Sequence, residues 1–353
     1  MTISTTSFSR LEVWAECPRK YRLRYIDRLP ATAELNEHVL LGTLVHGALQ
    51  EWLDPKTPTQ DPGEAFALYF PTWLREVELS EDLVEDLLDF VRPYADLLLR
   101  ASPSYCGADA IRNRDGSPPK DLEAFPPGAW TAALRSANLS QRKLELDNRA
   151  GVESEFFRHI SATHLVGRAY FMVVYFRIPA WVKRTLWVER GISVPGKEGV
   201  VDSVLFPGRD DLYAQGYLDW VVETEDGRIA VLDHKTNKAT PTELEVRFHP
   251  QLNWYAWLLY KATGIFPDLV GISHLPTHTF VVTEVEPEIV RDVVNHLVEI
   301  QEAIDQGKFP RRLPTVYNSP CIKRDYRTQA IKEVCPYLAH CWPSYAEQLS
   351  CEG

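Results

Sequence analysis

The sequence contains no long apolar segment. Its 353 residues include no window approaching the roughly 18 uninterrupted apolar residues of a membrane-spanning helix. The opening residues, MTISTTSFSRLEVW, also lack the apolar core of a secretory signal, so we expect a cytoplasmic protein. No internal repeat or low-complexity stretch is present. The composition, 45% hydrophobic and 25% charged, is typical of a globular chain with one large domain or two ordinary ones.

Positive charge is also scarce. The chain has 38 lysines and arginines against 49 acidic residues, and its net charge of −11 argues against a general nucleic-acid coat protein. The basic residues are concentrated in two segments, which makes both segments candidate nucleic-acid contacts. The first contains Arg19, Lys20, Arg22 and Arg24, and the second extends over residues 308–327. Aromatic residues in the first segment, such as Tyr21, could stack on the bases of a single strand.

Cysteine is scarce as well, with six residues in the chain. Because no secretory signal is found, the compartment is expected to be reducing and disulfides are not expected. Three of the cysteines, Cys321, Cys335 and Cys341, lie close together in the tail, where they could serve as metal ligands.

Helical and strand patterns divide the chain into four segments. Residues 1–53 have helical spacing over 7–27, with a break at Pro18, and again over 40–53. Residues 54–185 contain a helical pattern over 64–100 and a glycine- and proline-rich stretch over 101–130. Residues 307–353 form a loop-rich tail. The remaining segment, 186–306, predicts strands at 186–194, 212–223, 229–236, 268–274 and 279–285, and helices at 249–263 and 287–306.

Two acidic residues and a lysine lie on two strands that we expect to pair. Asp219 lies in GYLDWV and Asp233 lies in VLDHKT, with the turn sequence TEDGR between them. An Asp-Gly turn between apolar runs predicts a hairpin, which would bring both carboxylates and Lys235 to one face. Such a set suits Mg²⁺ or Mn²⁺ and the activation of water against a phosphodiester. A surface hairpin with an ordinary Asp–Lys pair is the alternative.

The same motifs, in the same order, resemble a known family. The sequences GYLD, VLDHKT and QLNWY are similar to those of the PD-(D/E)XK nuclease superfamily. Within it, the RecB-like group, which includes AddB nuclease domains and CRISPR-adaptation exonucleases, is the nearest in pattern. The opening SFSRLEVWAECPRKYRLRYI and the later GTLVHGALQ also resemble motifs of that group. The resemblance covers about the first 50 residues and 185–345, whereas residues 54–185 match nothing familiar.

The resemblance implies a fold and a ligand set. The fold is α/β, a mixed central sheet flanked by helices (a restriction-endonuclease-like core), with a helical insertion and a cysteine-rich C-terminal clasp. The implied segments are 1–53 with the histidine motif, 54–185 as the insertion, 186–306 as the nuclease core and 307–353 packing on the N-terminal helix. The implied metal ligands are His46, Glu189, Asp219, Asp233 and the backbone carbonyl of His234.

Three further residues receive roles from the resemblance. Lys235 would act on the attacking water, and Gln251 and Tyr255 would contact DNA or brace the site. Each proposed residue has a plainer alternative. His46 could be a satisfied core histidine, and Gln251 and Tyr255 could simply share one face of a helix.

The cysteines resemble the iron–sulfur motif of the same group. The spacing of Cys335 and Cys341 and the position of Cys17 before PRKY match that motif, which implies a 4Fe–4S cluster completed by Cys321. Zn²⁺ is the alternative. One departure is that 13 residues separate Cys321 from Cys335, where the family usually has two. Cys106 and Cys351 are left as spares, although Cys351 is also an alternative ligand.

The implied activity is that of a metal-dependent DNA exonuclease acting on single-stranded or processed ends. Arg19, Lys20, Arg22 and Arg24 are then candidate DNA contacts. The implied settings are recombination, repair or phage DNA metabolism in a bacterial or phage-infected cell, with recombination or replication proteins as further partners. The alternative is a catalytically silent DNA-binding or recombination-partner protein that contains a structural metal cluster.

Overall fold

Helices and strands alternate along the described chain. The computed structural model describes residues 4–29, 37–56, 62–76, 169, 172–173, 175–197, 199–237, 239–314, 319–324 and 331–351. The helices are α1 (Phe8–Glu16), α2 (Pro18–Tyr21) followed by a π-helical turn (Arg22–Ile26), α3 (Glu37–Leu53), α4 (Pro62–Glu76), α5 (Glu243–Arg247), α6 (Pro250–Thr263), α7 (Pro287–Asp305), α8 (Leu338–Cys341) and α9 (Pro343–Cys351). The strands are β1 (Ser4–Ser7), β2 (Val182–Ile192), β3 (Val200–Asp202), β4 (Val204–Leu205), β5 (Leu212–Thr224), β6 (Ile229–Lys235), β7 (Leu269–His274), β8 (Thr279–Glu284), β9 (Ile322–Arg324) and β10 (Ile331–Val334).

A mixed sheet lies at the centre, with strand order β3-β2-β5-β6-β7-β8. The strand β5 pairs antiparallel with β2 and β6, and β7 pairs antiparallel with β8. The strands β6 and β7 are parallel, so the chain must cross over between them, and it does so through α5 and α6. One end of β5 also pairs with β1 and β4. The predicted α/β fold with a mixed central sheet is confirmed.

Both faces of the sheet are covered by helices. Because successive side chains of a strand point to opposite faces, Val231 packs with Trp254 of α6 whereas Leu232 packs with Leu44 of α3. The helices α1, α6 and α7 cover the first face, and α3 and α4 cover the second. No helix among the described residues is long and apolar enough to cross a membrane.

Most sequence-predicted boundaries agree with the structure. Pro18 separates α1 from α2 as expected, because proline lacks the N–H that would continue the first helix and suits the start of the second. Gly264, with φ of 78°, ends α6 in the left-handed conformation. The strand predicted from 186 begins earlier, at Val182. The predicted helix over 64–100 is described only to Glu76, and residues 101–130 lie outside the described chain.

The tail contains four short elements within the stretch that the sequence predicts to be loop-rich. The strands β9 and β10 form an antiparallel hairpin, and the short helices α8 and α9 follow it. The N–H of Cys335 donates to the carbonyl of Cys321 at 2.8 Å, which closes the base of the hairpin. This bond ties the start of β9 to the end of β10, whereas the bonds of α8 are local, such as that from the N–H of Trp342 to the carbonyl of Leu338.

Gly216 of β5 provides room for α6 against the sheet. A Cβ atom at this position would lie 2.6 Å from Cδ1 of Leu258 and 3.2 Å from Cε1 of Tyr255. Both distances are shorter than ordinary contacts between carbon atoms. The glycine of the GYLD sequence therefore allows the ring of Tyr255 to lie directly on β5.

We predict that Gly216→Ala lowers the free energy of unfolding by about 1–3 kcal/mol, because overpacking forces α6 away from β5. Urea denaturation followed by circular dichroism measures this change. Gly42→Ala is the matched control: it lies in α3, where a Cβ meets nothing within 4 Å, and alanine favours helix. The packing argument fails if the Gly216 variant is as stable as the wild type.

Candidate active site

Two buried carboxylates lie side by side on β5 and β6. The pairing of Trp220 with Leu232 places Asp219 opposite Asp233 at the next step of the ladder. Their relative exposures are 6% and 2%. The N–H of His234 donates to Oδ2 of Asp219 at 2.8 Å. Ionised carboxylates are costly to bury without partners, so the groups around them decide what this pair can do.

Lys235 pairs with one of these carboxylates. Its Nζ lies 2.7 Å from Oδ2 of Asp233 and donates to Oε1 of Gln251 at 2.9 Å. Nε2 of Gln251 in turn donates to the hydroxyl of Tyr255 at 2.8 Å. Burial, followed by the charge of Asp219, raises the pKa of Tyr255 well above its usual value, so the phenol stays protonated. The ammonium group of Lys235 is thus fixed from two sides, by β6 and by α6.

His46 reaches the carboxylates from α3, on the opposite face of the sheet. Its Nδ1 lies 3.3 Å from Oε1 of Glu189 and 3.5 Å from Oδ2 of Asp219, and its Nε2 lies 3.1 Å from the carbonyl oxygen of His234. Both nitrogens face oxygen acceptors, which only the imidazolium form can satisfy. Burial alone would lower the pKa of His46, but the charges of Asp219 and Glu189 outweigh it and raise the pKa to about 9.

Three of these side chains form a close group that could hold a metal ion. His46, Glu189 and Asp219 each offer a ligand atom, and the three atoms lie within 4.8 Å of one another. Burial and the neighbouring carboxylates raise the pKa of Asp219 well above its usual value. Asp233 is outside this close group, since its carboxylate pairs with Lys235. Two carboxylates and one imidazole suit a hard divalent cation better than a soft one.

Glu189 adopts an unusual backbone conformation. Its neighbours on β2, Val188 and Arg190, pair with Trp220 and Leu218, so Glu189 lies at the level of Asp219. Its φ is 45°, in the left-handed region that residues other than glycine rarely occupy. Such strain concentrates at functional sites. The sequence predicted Glu189 as an additional acid, but no residue pattern indicated this conformation.

His234 contributes to the site through its backbone. Its ring points to the other face of the sheet, where it stacks on Trp220 with ring centroids 6.0 Å apart and meets Phe176 edge to face at 5.6 Å. Burial lowers the pKa of this imidazole well below its usual value, so the ring is neutral. The carbonyl oxygen lies 3.1 Å from Nε2 of His46, and the two imidazole rings also meet edge to face, with centroids 5.8 Å apart.

The predicted DNA contacts near the N-terminus form a less open surface than expected. Lys20 pairs with Glu16 at 2.9 Å, and Arg22 pairs with Asp27 at 3.3 Å. The guanidinium of Arg24 lies 5.2 Å from the ring centroid of Tyr25, and Nε of Arg19 is buried. Tyr21 is itself buried and stacks on Phe309, so the prediction that it stacks on nucleic-acid bases is wrong.

The four candidate cysteine ligands are free thiols. Cys17 and Cys321 are buried, and Cys335 and Cys341 are half-buried. Among the described residues, no three of their sulfurs lie within 4.8 Å of one another. Burial raises the pKa of Cys335 to about 11. Of the two spares, Cys106 lies outside the described residues, and Cys351 is the last residue of α9.

The tail contacts the N-terminal segment near these thiols. The hydroxyl of Tyr337 donates to the carbonyl of Leu29 at 3.3 Å, and Nη2 of Arg312 donates to the carbonyl of Ala15 at 3.4 Å. The indole N–H of Trp14 donates to the carbonyl of Lys308 at 3.1 Å. Residues from the N-terminal segment and the tail are therefore in contact.

Comparison with known proteins agrees with this geometry. A search of the curated proteins gives no match to the chain. A family model described as the PD-(D/E)XK nuclease superfamily matches residues 5–341, which include every acidic, basic and histidine side chain of the site. Since this match covers almost the whole sequence, and a mixed sheet with carboxylates and a lysine on neighbouring strands carries the site, the chain belongs to the PD-(D/E)XK nuclease superfamily.

Proposed function

We propose that this protein is a metal-dependent DNA exonuclease that hydrolyses phosphodiester bonds at single-stranded or processed ends. The superfamily implies metal-dependent nuclease activity in general. The observation that carries the proposal for this chain is the convergence of His46, Glu189 and Asp219 beside the Asp233–Lys235 pair. The restriction to DNA ends rests on the resemblance of the motifs to RecB-like exonucleases.

The donor set suits Mg²⁺ or Mn²⁺. His46, Glu189 and Asp219 would hold the ion, with Asp233 and the carbonyl of His234 as the remaining ligands of the proposal. The ligand atoms are mostly oxygens, which such cations prefer. When bound, the ion would stabilise the negative charge that develops on the phosphodiester oxygens.

The chain's own residues would orient the attacking water. The ammonium of Lys235 already interacts with Asp233 and Gln251, and its remaining N–H can hold a water molecule against the phosphorus. Gln251 keeps the ammonium in place and is itself held by Tyr255. Asp233 holds the ammonium of Lys235 in place through the ion pair between them. Fixing the water molecule in this way lowers the activation free energy of hydrolysis, because its translational and rotational entropy is lost before the reaction.

We also propose a structural 4Fe–4S cluster on Cys17, Cys321, Cys335 and Cys341. The proposal is supported by the contacts of the tail, which carries three of these thiols, with the N-terminal segment, which carries Cys17. A four-iron cluster binds each thiolate to a different iron, whereas one Zn²⁺ draws all four sulfurs to itself. Zn²⁺ on the same four thiolates is the alternative. The cluster would stabilise the fold because it binds only the folded state.

The same proposal includes the surface that would contact DNA and the biological process in which the protein would act. Arg22 and Arg24 are exposed and fit a contact with the phosphate backbone. Arg19 and Lys20 are less exposed and would contribute to the same surface. The net charge of −11 predicts weak, salt-sensitive binding confined to a narrow path. The setting would be recombination, repair or phage DNA metabolism in the cytoplasm, with recombination or replication proteins as further partners.

We predict that Lys235→Ala lowers Mn²⁺-dependent cleavage at least about 100-fold, because the attacking water loses its anchor, while DNA binding persists. End-labelled single- and double-stranded DNA measures activity, strand preference and polarity together. Asp233→Ala should have a similar effect, and Lys183→Ala, at an exposed pair with Glu223, is the matched control. A wild type that binds DNA without cleaving it would instead favour the silent DNA-binding protein.

We predict that metal binding releases about one proton near neutral pH. His46 holds a proton below its pKa of about 9, and the imidazole must lose it before it can ligate a metal. Affinity for Mn²⁺ should therefore rise with pH between about 6.5 and 8. Calorimetry in buffers of different ionisation enthalpy counts the protons released. His46→Gln should remove most of this release, and a pH-independent affinity of the wild type would contradict the assignment.

We predict about four iron ions and four acid-labile sulfides per chain after anaerobic purification, with a broad visible absorption band. Cys335→Ala should remove the band and lower the melting temperature, whereas Cys106→Ser should do neither. A metal analysis that finds about one zinc ion per chain and no iron would contradict the iron–sulfur cluster and indicate a zinc site.

A further inference from the structure

His249 occupies a rigid corner between α5 and α6. Its N–H donates to the carbonyl of Val246 at 3.1 Å, and its own carbonyl accepts from N and Nδ2 of Asn253 at 3.2 and 3.0 Å. The buried side chain of Asn253 also donates to the carbonyl of Arg247 at 3.1 Å. The backbone groups of His249 are thus satisfied, and its position is fixed.

The side chain of His249, in contrast, has a ring nitrogen without a hydrogen-bond partner among the described residues. His249 is the N-cap residue of α6, but its side chain does not cap the helix. Its Nδ1 is buried and has no hydrogen-bond partner among the described residues. A buried polar atom without a partner is costly, and each such case calls for an explanation, such as a ligand or a bound water.

The ring lies beside the proposed reaction centre. His249 is two residues before Gln251, the residue that holds Lys235. Burial lowers the pKa of His249, the charge of Lys235 lowers it further, and that of Asp233 raises it. The imidazole is therefore neutral at physiological pH, with one nitrogen that donates and one that accepts a hydrogen bond. A neutral donor can approach a phosphate beside Lys235 without adding repulsion between cations.

We propose that His249 binds the substrate by donating a hydrogen bond to a phosphate oxygen of the DNA strand next to Lys235. This inference rests on the proposed function. The phosphate oxygen supplies the acceptor that the protein does not provide. Because Nδ1 is buried, the imidazole must rotate to reach the phosphate oxygen, and the fixed backbone of the corner limits the change to this rotation, which lowers the entropic cost of the contact.

Three substitutions at His249 separate substrate binding from a structural role. His249→Leu removes both ring nitrogens, His249→Asn retains a donor near the position of Nδ1, and His249→Gln retains one near Nε2. The matched control is His296→Leu, at an exposed position of α7. The readouts are the dissociation constant of a fluorescent single-stranded oligonucleotide without metal, kcat and KM with Mn²⁺, and the melting temperature.

We expect His249→Leu to weaken oligonucleotide binding and to lower kcat/KM by about 10- to 100-fold, as for a lost hydrogen bond to a charged group. One of the two amide variants should recover most of the loss and so identify the donating nitrogen. The Leu variant should be at least as stable as the wild type, because it removes an unpaired buried polar atom.

Other outcomes overturn the inference. Wild-type binding and kcat/KM in His249→Leu would show that the ring does not touch the substrate. A lower melting temperature in His249→Leu, with no recovery in either amide variant, would show that the ring supports the fold instead. A wild type that neither binds nor cleaves the oligonucleotide would overturn the proposed function as well, whereas cleavage that is insensitive to His249→Leu would overturn the role of His249 alone.

Discussion

The arrangement of this protein around its site depends on the need to compensate buried carboxylates. Asp219 and Asp233 face each other on the central strands, with Glu189 beside them, and negative charges so close together in a poorly solvated place repel strongly. Two cations offset them, Lys235 on β6 and the imidazolium of His46 on α3. Since α6 fixes the lysine from one face of the sheet and α3 supplies the histidine from the other, both helical layers must be in place for the site to exist.

In the proposed metal site, the proton on His46 would supply the positive charge when no cation is bound. A histidine whose pKa rises from 6.5 to about 9 stabilises the fold fully below pH 6.5, and that stabilisation is lost as the pH rises through 9. The raised pKa of Asp219 acts in the same direction, because an ionised carboxylate becomes harder to keep buried as the pH rises. The metal-free site therefore weakens the fold at alkaline pH, and a divalent cation that displaces the proton would offset this loss.

The sequence predicts the local parts of this arrangement well. The Asp-Gly turn sets the pairing of β5 with β6, and with it the opposition of Asp219 and Asp233, because the side-chain period of two fixes which residues share a face. The spacing of Gln251 and Tyr255 likewise sets one face of α6. His46 and Glu189 could be assigned only through the resemblance to known nucleases, since no local pattern connects residues 143 positions apart.

Other features could not be predicted, because they depend on contacts between distant segments or on strain. The parallel pairing of β1 with β5, the left-handed φ of Glu189 and the unpartnered ring of His249 leave no periodic signal in the sequence. The sequence also gives no sign of the ion pairs in the basic run, where Lys20 and Arg22 each pair with an acid close by in the chain. A run of basic residues predicts local positive charge, and nearby acidic residues determine how much of that charge is already paired.

The N-terminal segment connects the proposed cluster to the active site. The strand β1 pairs with β5, the strand that carries Asp219, and α1 packs against the sheet through Leu11. The carboxyl group of Glu12 on the same helix borders the site: burial raises its pKa, and the charge of Lys235 opposes that rise. Cys17 follows directly at the end of α1. A cluster that ties Cys17 to the tail would therefore fix the position of α1 against β5. It would support catalysis by stabilising this scaffold and would take no part in the reaction itself.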